Sequence, residues 1–131
     1  MLKTTETVLA AHRATAATII KKLERHGMDG YFCATSSEAV ELVRSWMHEG
    51  DSVTWGGSET FKETGMKTAL ETAGCYRMLD RTATSTPEEQ REMWRDRTSA
   101  EWFFMSANAL TLDGELVNID GNSDRLSLLL H

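Results

Sequence analysis

Four short runs, each too short for anything but a strand, constrain this fold more than any other feature of the sequence. They are Tyr31-Phe32-Cys33-Ala34, Asp51-Ser52-Val53-Thr54-Trp55, Tyr76-Arg77-Met78-Leu79-Asp80 and Glu101-Trp102-Phe103-Phe104-Met105. The segments between them carry apolar residues at helical spacing. Strands that alternate with helices are joined by right-handed crossovers, which predicts a mainly parallel sheet covered on both faces. The expected fold class is therefore α/β, a three-layer α/β/α arrangement, and 131 residues make one domain with a sizeable core.

Local signals set the helix ends. Thr4 or Thr5 caps a first helix whose apolar positions are Val8, Leu9, Ala16, Ile19, Ile20 and Leu23, and Gly27 ends it. Thr35 with Glu38 three residues on is a capping box. It opens a second helix with Ala39, Val40, Val43 and Met47 on one face, closed by Gly50. A third helical region covers 58–73 with a break at Gly65. Thr86-Pro87-Glu88-Glu89 joins an N-cap, a proline at the first helical position and a capping-box glutamate, and starts a helix that reaches about residue 99. The alternation then stops. Leu110-Thr111-Leu112 and 115–119 flank Asp113-Gly114, a favoured two-residue hairpin turn. Asn122 or Ser123 caps a last short helix over 124–130, rich in leucine, which needs something to pack on.

Charge and composition narrow the functional classes. A formal net charge of −6 argues against binding a phosphate backbone, since nucleic-acid modules present a basic face. No stretch approaches the ~18 apolar residues of a membrane span, and the N-terminus lacks the apolar core of a signal peptide. The expected setting is cytoplasmic, with Cys33 and Cys75 as reduced, buried thiols. Neither cysteine has a metal-spaced neighbour, so no metal site is expected. No Ser-His-Asp set, His-Glu-x-x-His helix, dinucleotide fingerprint or Walker loop occurs, and no cofactor is assigned.

In an open parallel sheet, ligands bind beyond the carboxyl ends of the strands. Three polar groups of residues fall there. Gly56-Gly57-Ser58-Glu59-Thr60 follows the second run: its glycines let a ligand approach the backbone, free N–H groups attract an anion, and Ser58 and Thr60 add hydroxyls. The same residues also make a plain strand-to-helix turn with Ser58 as an N-cap. Ser106-Ala107-Asn108-Ala109 follows the fourth run and either holds a ligand or satisfies a turn. Asn118-Ile119-Asp120-Gly121 ends the hairpin, with Asp120 the better charged candidate and Asp113 a turn former. Asp80 reaches the same rim. The acidic helix over 88–96, with its interleaved arginines, reads as a solvated face.

Taken in order, Gly56-Gly57-Ser58-Glu59-Thr60-Phe61 with Gly65, Asp80 and the block over 106–121 resembles the lactate-utilisation (LUD) domain of LutC/YkgG-type proteins. The resemblance covers nearly the whole chain from the first helix onward. It implies a fold similar to the NagB/RpiA/CoA-transferase group. It also implies a cytoplasmic bacterial role in lactate utilisation beside iron–sulfur partner subunits. The site it implies takes a small anionic metabolite or nucleotide through Gly56, Gly57, Ser58, Thr60, Ser106, Asn108, Asn118 and Arg125, with Asp120 and Asp80 as acid–base candidates. Only Arg125 is retained where the family has a Gly-Asn-Arg stretch. The family's later Gly-Pro turn and further strand have no counterpart before His131, which predicts a C-terminally truncated member or one completed by a partner, a homo-oligomer included. Sugar-phosphate isomerases of the wider group use an acidic residue where this chain carries Asn108, which cannot act as a general acid or base at neutral pH. An isomerase- or CoA-transferase-like enzyme and a non-catalytic assembly protein are the alternatives to a binding subunit.

Overall fold

The structure, a computed structural model, describes residues 2–107 and 109–117. The expected C-terminal helix over 124–130 lies outside the described residues. The described residues divide into two compact units, one built from 2–35 with 107 and 109–117 and the other from 36–106.

The first unit contains α1 (Leu2–Arg25) and a two-stranded antiparallel hairpin, β4 (Ala109–Leu110) and β5 (Leu116–Val117). Thr4 and Thr5 fall inside the first turn of α1 instead of ahead of it. Its C-terminus closes as a Schellman motif, with Met28 N donating to Leu23 O and Gly27 N to Glu24 O. The hairpin turn differs by one residue from the expected two-residue turn. Thr111 N donates to Glu115 O and Gly114 N to Thr111 O, which makes a three-residue loop with Gly114 at φ +77°. The register pairs Ala109 with Val117 and Leu110 with Leu116. Gly114 is pressed on α1: a Cβ there would lie 2.9 Å from Leu23 N and from Lys22 Cβ. Gly30 makes a second close approach, 2.9 Å from Ile20 Cγ1 on the same criterion.

Residues 31–34, expected as a strand, are not one. The Arg13 guanidinium of α1 sits 5.6 Å from the Phe32 ring centre, and Tyr31 is exposed. Phe32 thus meets α1 through Arg13 and joins no sheet ladder.

The second unit holds a parallel sheet of order β2-β1-β3, built from β1 (Ser52–Trp55), β2 (Arg77–Met78) and β3 (Trp102–Phe104). Val53 pairs with both Met78 and Trp102. The fold is α/β, as the alternation of elements predicts. Because strand side chains alternate, Val53, Trp55, Met78, Trp102 and Phe104 share one face. On that face the core forms around Val53, Phe61, Met66, Leu70 and Met47. It is supplied by α2 (Ser36–Trp46), α3 (Glu59–Glu63) and α4 (Met66–Ala73). Gly65, at φ +80°, makes the expected break between α3 and α4. Leu70 and Val53 have no exposed surface, and each such side chain contributes about 1.5–3 kcal/mol through burial.

On the opposite face, Thr54 and Arg77 meet α5 (Pro87–Thr98) through Arg97 and Asp96. Thr86 caps α5 by accepting from Glu89 N, as expected. The Glu89 carboxylate reaches back to Ser85 N at 2.9 Å, one residue beyond the usual capping-box target.

The amino ends of β1 and β3 are tied by two carboxylates. Glu101 accepts from Ser52 N at 2.7 Å and from the Ser52 hydroxyl, while Asp51 accepts from His48 N and from Trp102 Nε1, each at 2.9 Å. The Ser52 hydroxyl and amide hold Glu101 below the ordinary glutamate value, and the His48 amide, then the Trp102 indole, hold Asp51 below its own. A folded-state value below the unfolded one adds stability above the unfolded value and loses it as pH falls through the folded one. The melting temperature should therefore fall as the protein is acidified below about pH 4. Measured by calorimetry against pH, the fall should be shallower in the double variant Asp51→Asn with Glu101→Gln.

Candidate functional site

The carboxyl end of β1 continues one residue past Trp55, because Gly56 N donates to Phe104 O at 3.0 Å. Ser58 N then donates back to Gly56 O at 2.8 Å, a γ-turn with Gly57 at its tip. Gly56 is buried and Gly57 exposed. The Arg81 Nη2 lies 3.4 Å from the place a Cβ on Gly57 would take, an ordinary contact distance.

Ser58 serves the fold directly. It is only 4% exposed, its hydroxyl accepts from Phe61 N to cap α3, and it lies 3.0 Å from the Ser106 hydroxyl. The ends of β1 and β3 are thus joined side chain to side chain, and two of the expected site residues meet. Thr60 is exposed on α3, and its carbonyl accepts from the Thr64 hydroxyl at 2.8 Å. Asn108, Asn118, Asp120 and Arg125 lie outside the described residues.

Asp80 follows β2 and caps a 3₁₀ turn over Arg81–Ala83. Its carboxylate accepts from the Thr82 hydroxyl at 2.6 Å and the Thr82 amide at 2.9 Å. The Thr82 hydroxyl is the main cause that holds this carboxyl below the ordinary aspartate range; the Thr82 amide, Lys67 and Lys62 act in the same direction. The group is thereby kept as an anion at neutral pH, able to accept a proton but holding none to give.

Four cationic residues at this edge were not among the expected site residues. Arg81 stands over Gly57, Lys67 Nζ lies 5.3 Å from the Trp55 ring centre, and Lys62 acts electrostatically on Asp80. Arg97 is the fourth. It is 5% exposed, Nε donates to Thr54 Oγ1 at 2.7 Å, and Nη2 donates to Trp55 O at 3.0 Å. The Thr54 hydroxyl donates in turn to Leu79 O at 3.1 Å. Helical spacing was the available signal: Gln90, Met93 and Arg97 share one face of α5. Arg81 and Arg97 line one cavity of about 90 Å³ with Thr84 and Gln90. At about 30 Å³ per water this holds a group of carboxylate size. Guanidinium groups present paired donors that match an oxyanion.

A second, larger cavity of about 180 Å³ opens between α2, α3, α4 and the end of β3. Among the described residues no group of three or more histidine, cysteine, aspartate or glutamate side chains forms a metal-binding cluster, and no helix is long and apolar enough to cross a membrane.

Set against known proteins, residues 16–130 match the family described as LUD domain. No curated protein and no solved structure matches.

The buried Arg97 relay generates a stability prediction. Arg97→Met keeps much of the length of the side chain but removes the donors to the Trp55 carbonyl and to the Thr54 hydroxyl, which keeps its bond to Leu79 O. It should cost about 1–3 kcal/mol in urea unfolding. Arg91→Met, on the exposed side of the same helix, should stay within about 0.5 kcal/mol of the parent.

Proposed function

The chain belongs to the LUD domain family, and from that premise we propose that it serves lactate utilisation by binding a small anionic metabolite at the carboxyl edge of its parallel sheet. The observation that carries this reading is the Arg81 guanidinium standing over Gly57, with Arg97 in the same cavity. Strand ends are where ligands of open parallel sheets bind, and the cations gather there in a chain whose formal net charge is −6. Lys62 and Lys67 add to the positive field acting on Asp80. Short-range fields of this kind raise the local concentration of an anion even when the protein as a whole is acidic.

The family ties the chain to lactate metabolism in broad terms. The finer reading is a LutC/YkgG-like binding subunit that works in the cytoplasm beside iron–sulfur oxidoreductase subunits, itself a homo-oligomer. In this reading the site holds L-lactate, its oxidation product or a phosphate-bearing metabolite such as a nucleotide. Arg81 meets the anion, and the buried Arg97 fixes the strand ends beside it.

A ligand that binds only the folded state raises its stability, by about 2.7 kcal/mol at a hundredfold excess over Kd. L-lactate, pyruvate and inorganic phosphate, each compared with chloride at equal ionic strength, are the probes for a thermal shift. At least one should raise the melting temperature by several degrees. Gly57→Val places a side chain against Arg81 at an exposed position, and should abolish the shift while the unliganded melting temperature changes little. The absence of a shift with all three anions in the parent protein would overturn the reading.

A further inference from the structure

The cavity that Arg81 and Arg97 share does not end at the sheet. Gln90 and Trp94 of α5 also line it, and the same two residues line an open depression of about 380 Å³ with Pro87, Arg91 and Arg95. The two spaces therefore adjoin along one helix. Pro87, Gln90, Arg91, Trp94 and Arg95 recur at the spacing that places side chains on one side of it. Pro87 and Trp94 stand seven residues apart, about 10 Å along the axis.

The two ends of this continuous space differ in chemistry. The inner cavity, at about 90 Å³, takes roughly three water-sized groups, the number of terminal oxygens on a phosphate monoester. Arg81 borders it with paired donors suited to such oxygens. The outer depression offers rings instead. Trp94 is 38% exposed, and Pro87 is exposed on the same side of the helix. Arg91 and Arg95 are exposed there too, and guanidinium planes stack on aromatic rings. Gln90, where the two spaces join, carries both a donor and an acceptor on its amide.

A flat heteroaromatic ring suits this outer surface. Its face gains contact with the indole and guanidinium planes, while its polar edge stays within reach of Gln90 and water. An aliphatic tail gains no such stacking, and an anion as small as lactate fills only the inner cavity. We propose that the anion of the Gly57–Arg81 edge is the phosphate of a nucleotide, whose base lies on Trp94 along the Pro87–Arg95 face of α5. This inference rests on the anion reading above and names the class of ligand.

Titration calorimetry of the full chain with AMP, ribose 5-phosphate and inorganic phosphate tests it. AMP should bind at least about fivefold more tightly than ribose 5-phosphate, the factor that corresponds to about 1 kcal/mol of base stacking. Trp94→Ala should remove that advantage and leave ribose 5-phosphate unchanged, whereas Arg81→Gln should weaken both ligands by a similar factor. AMP should also quench the tryptophan fluorescence of the parent. Trp94→Phe, which keeps a ring to stack on, should lose that quenching and retain most of the affinity. Phosphate esters that bind with no gain from the base, or a gain that survives Trp94→Ala, would overturn this inference and leave the anion reading standing. Binding of lactate or pyruvate but of no phosphate ligand would do the same. If no anion binds, the anion reading falls first and this inference with it.

Discussion

The arrangement of the sheet's carboxyl edge depends on one buried cation. Arg97 donates to the Thr54 hydroxyl and the Trp55 carbonyl, and Thr54 passes a hydrogen bond on to the carbonyl of Leu79. The relay joins α5, the central strand and the residue that follows β2. A guanidinium this deep is costly to bury unless its donors are met, so the neighbouring polar atoms are held in one geometry. The direction of the chain as it leaves β1 and β2 follows from that geometry. Gly57 and Arg81 meet because the two strand ends are fixed with respect to each other.

Division of labour across the sheet follows from strand alternation. Val53 and Trp55 send their side chains into the packed aromatic and aliphatic face, whereas Ser52 and Thr54 serve polar networks on the other. The polar networks sit at the two ends of β1: carboxylates at its amino end, guanidinium groups at its carboxyl end.

Much of the second unit was legible in the sequence because its signals are local. The Thr86 cap, the break at Gly65 and three of the four short runs all became the expected elements. Residues 31–34 did not, because an apolar run looks the same whether it joins a sheet or lies along a helix, and Phe32 meets Arg13, nineteen positions away. The hairpin turn was one residue off because Asp-Gly suits both a two-residue turn and the end of a three-residue loop. Ser58 and Ser106 were expected at strand ends, and their hydroxyls lie 3.0 Å apart there. Arg81 and Arg97 were not, since charge usually marks a surface. What buries Arg97 is a hydroxyl 43 positions away in sequence, a relation that only the folded chain contains.

The contact between α1 and the hairpin has a consequence for how this part of the molecule can change over time. Gly30 and Gly114 bring bare backbone against Ile20, Lys22 and Leu23. A contact between two side chains can drift, one partner shrinking as the other grows, and the interface survives by small exchanges. Here one partner has nothing to shrink, and at Gly114 the left-handed backbone also excludes most replacements. Variation at this junction must come as a shift of the whole segment along the helix. Residues elsewhere in these segments can therefore be exchanged more readily than the two glycines that touch α1.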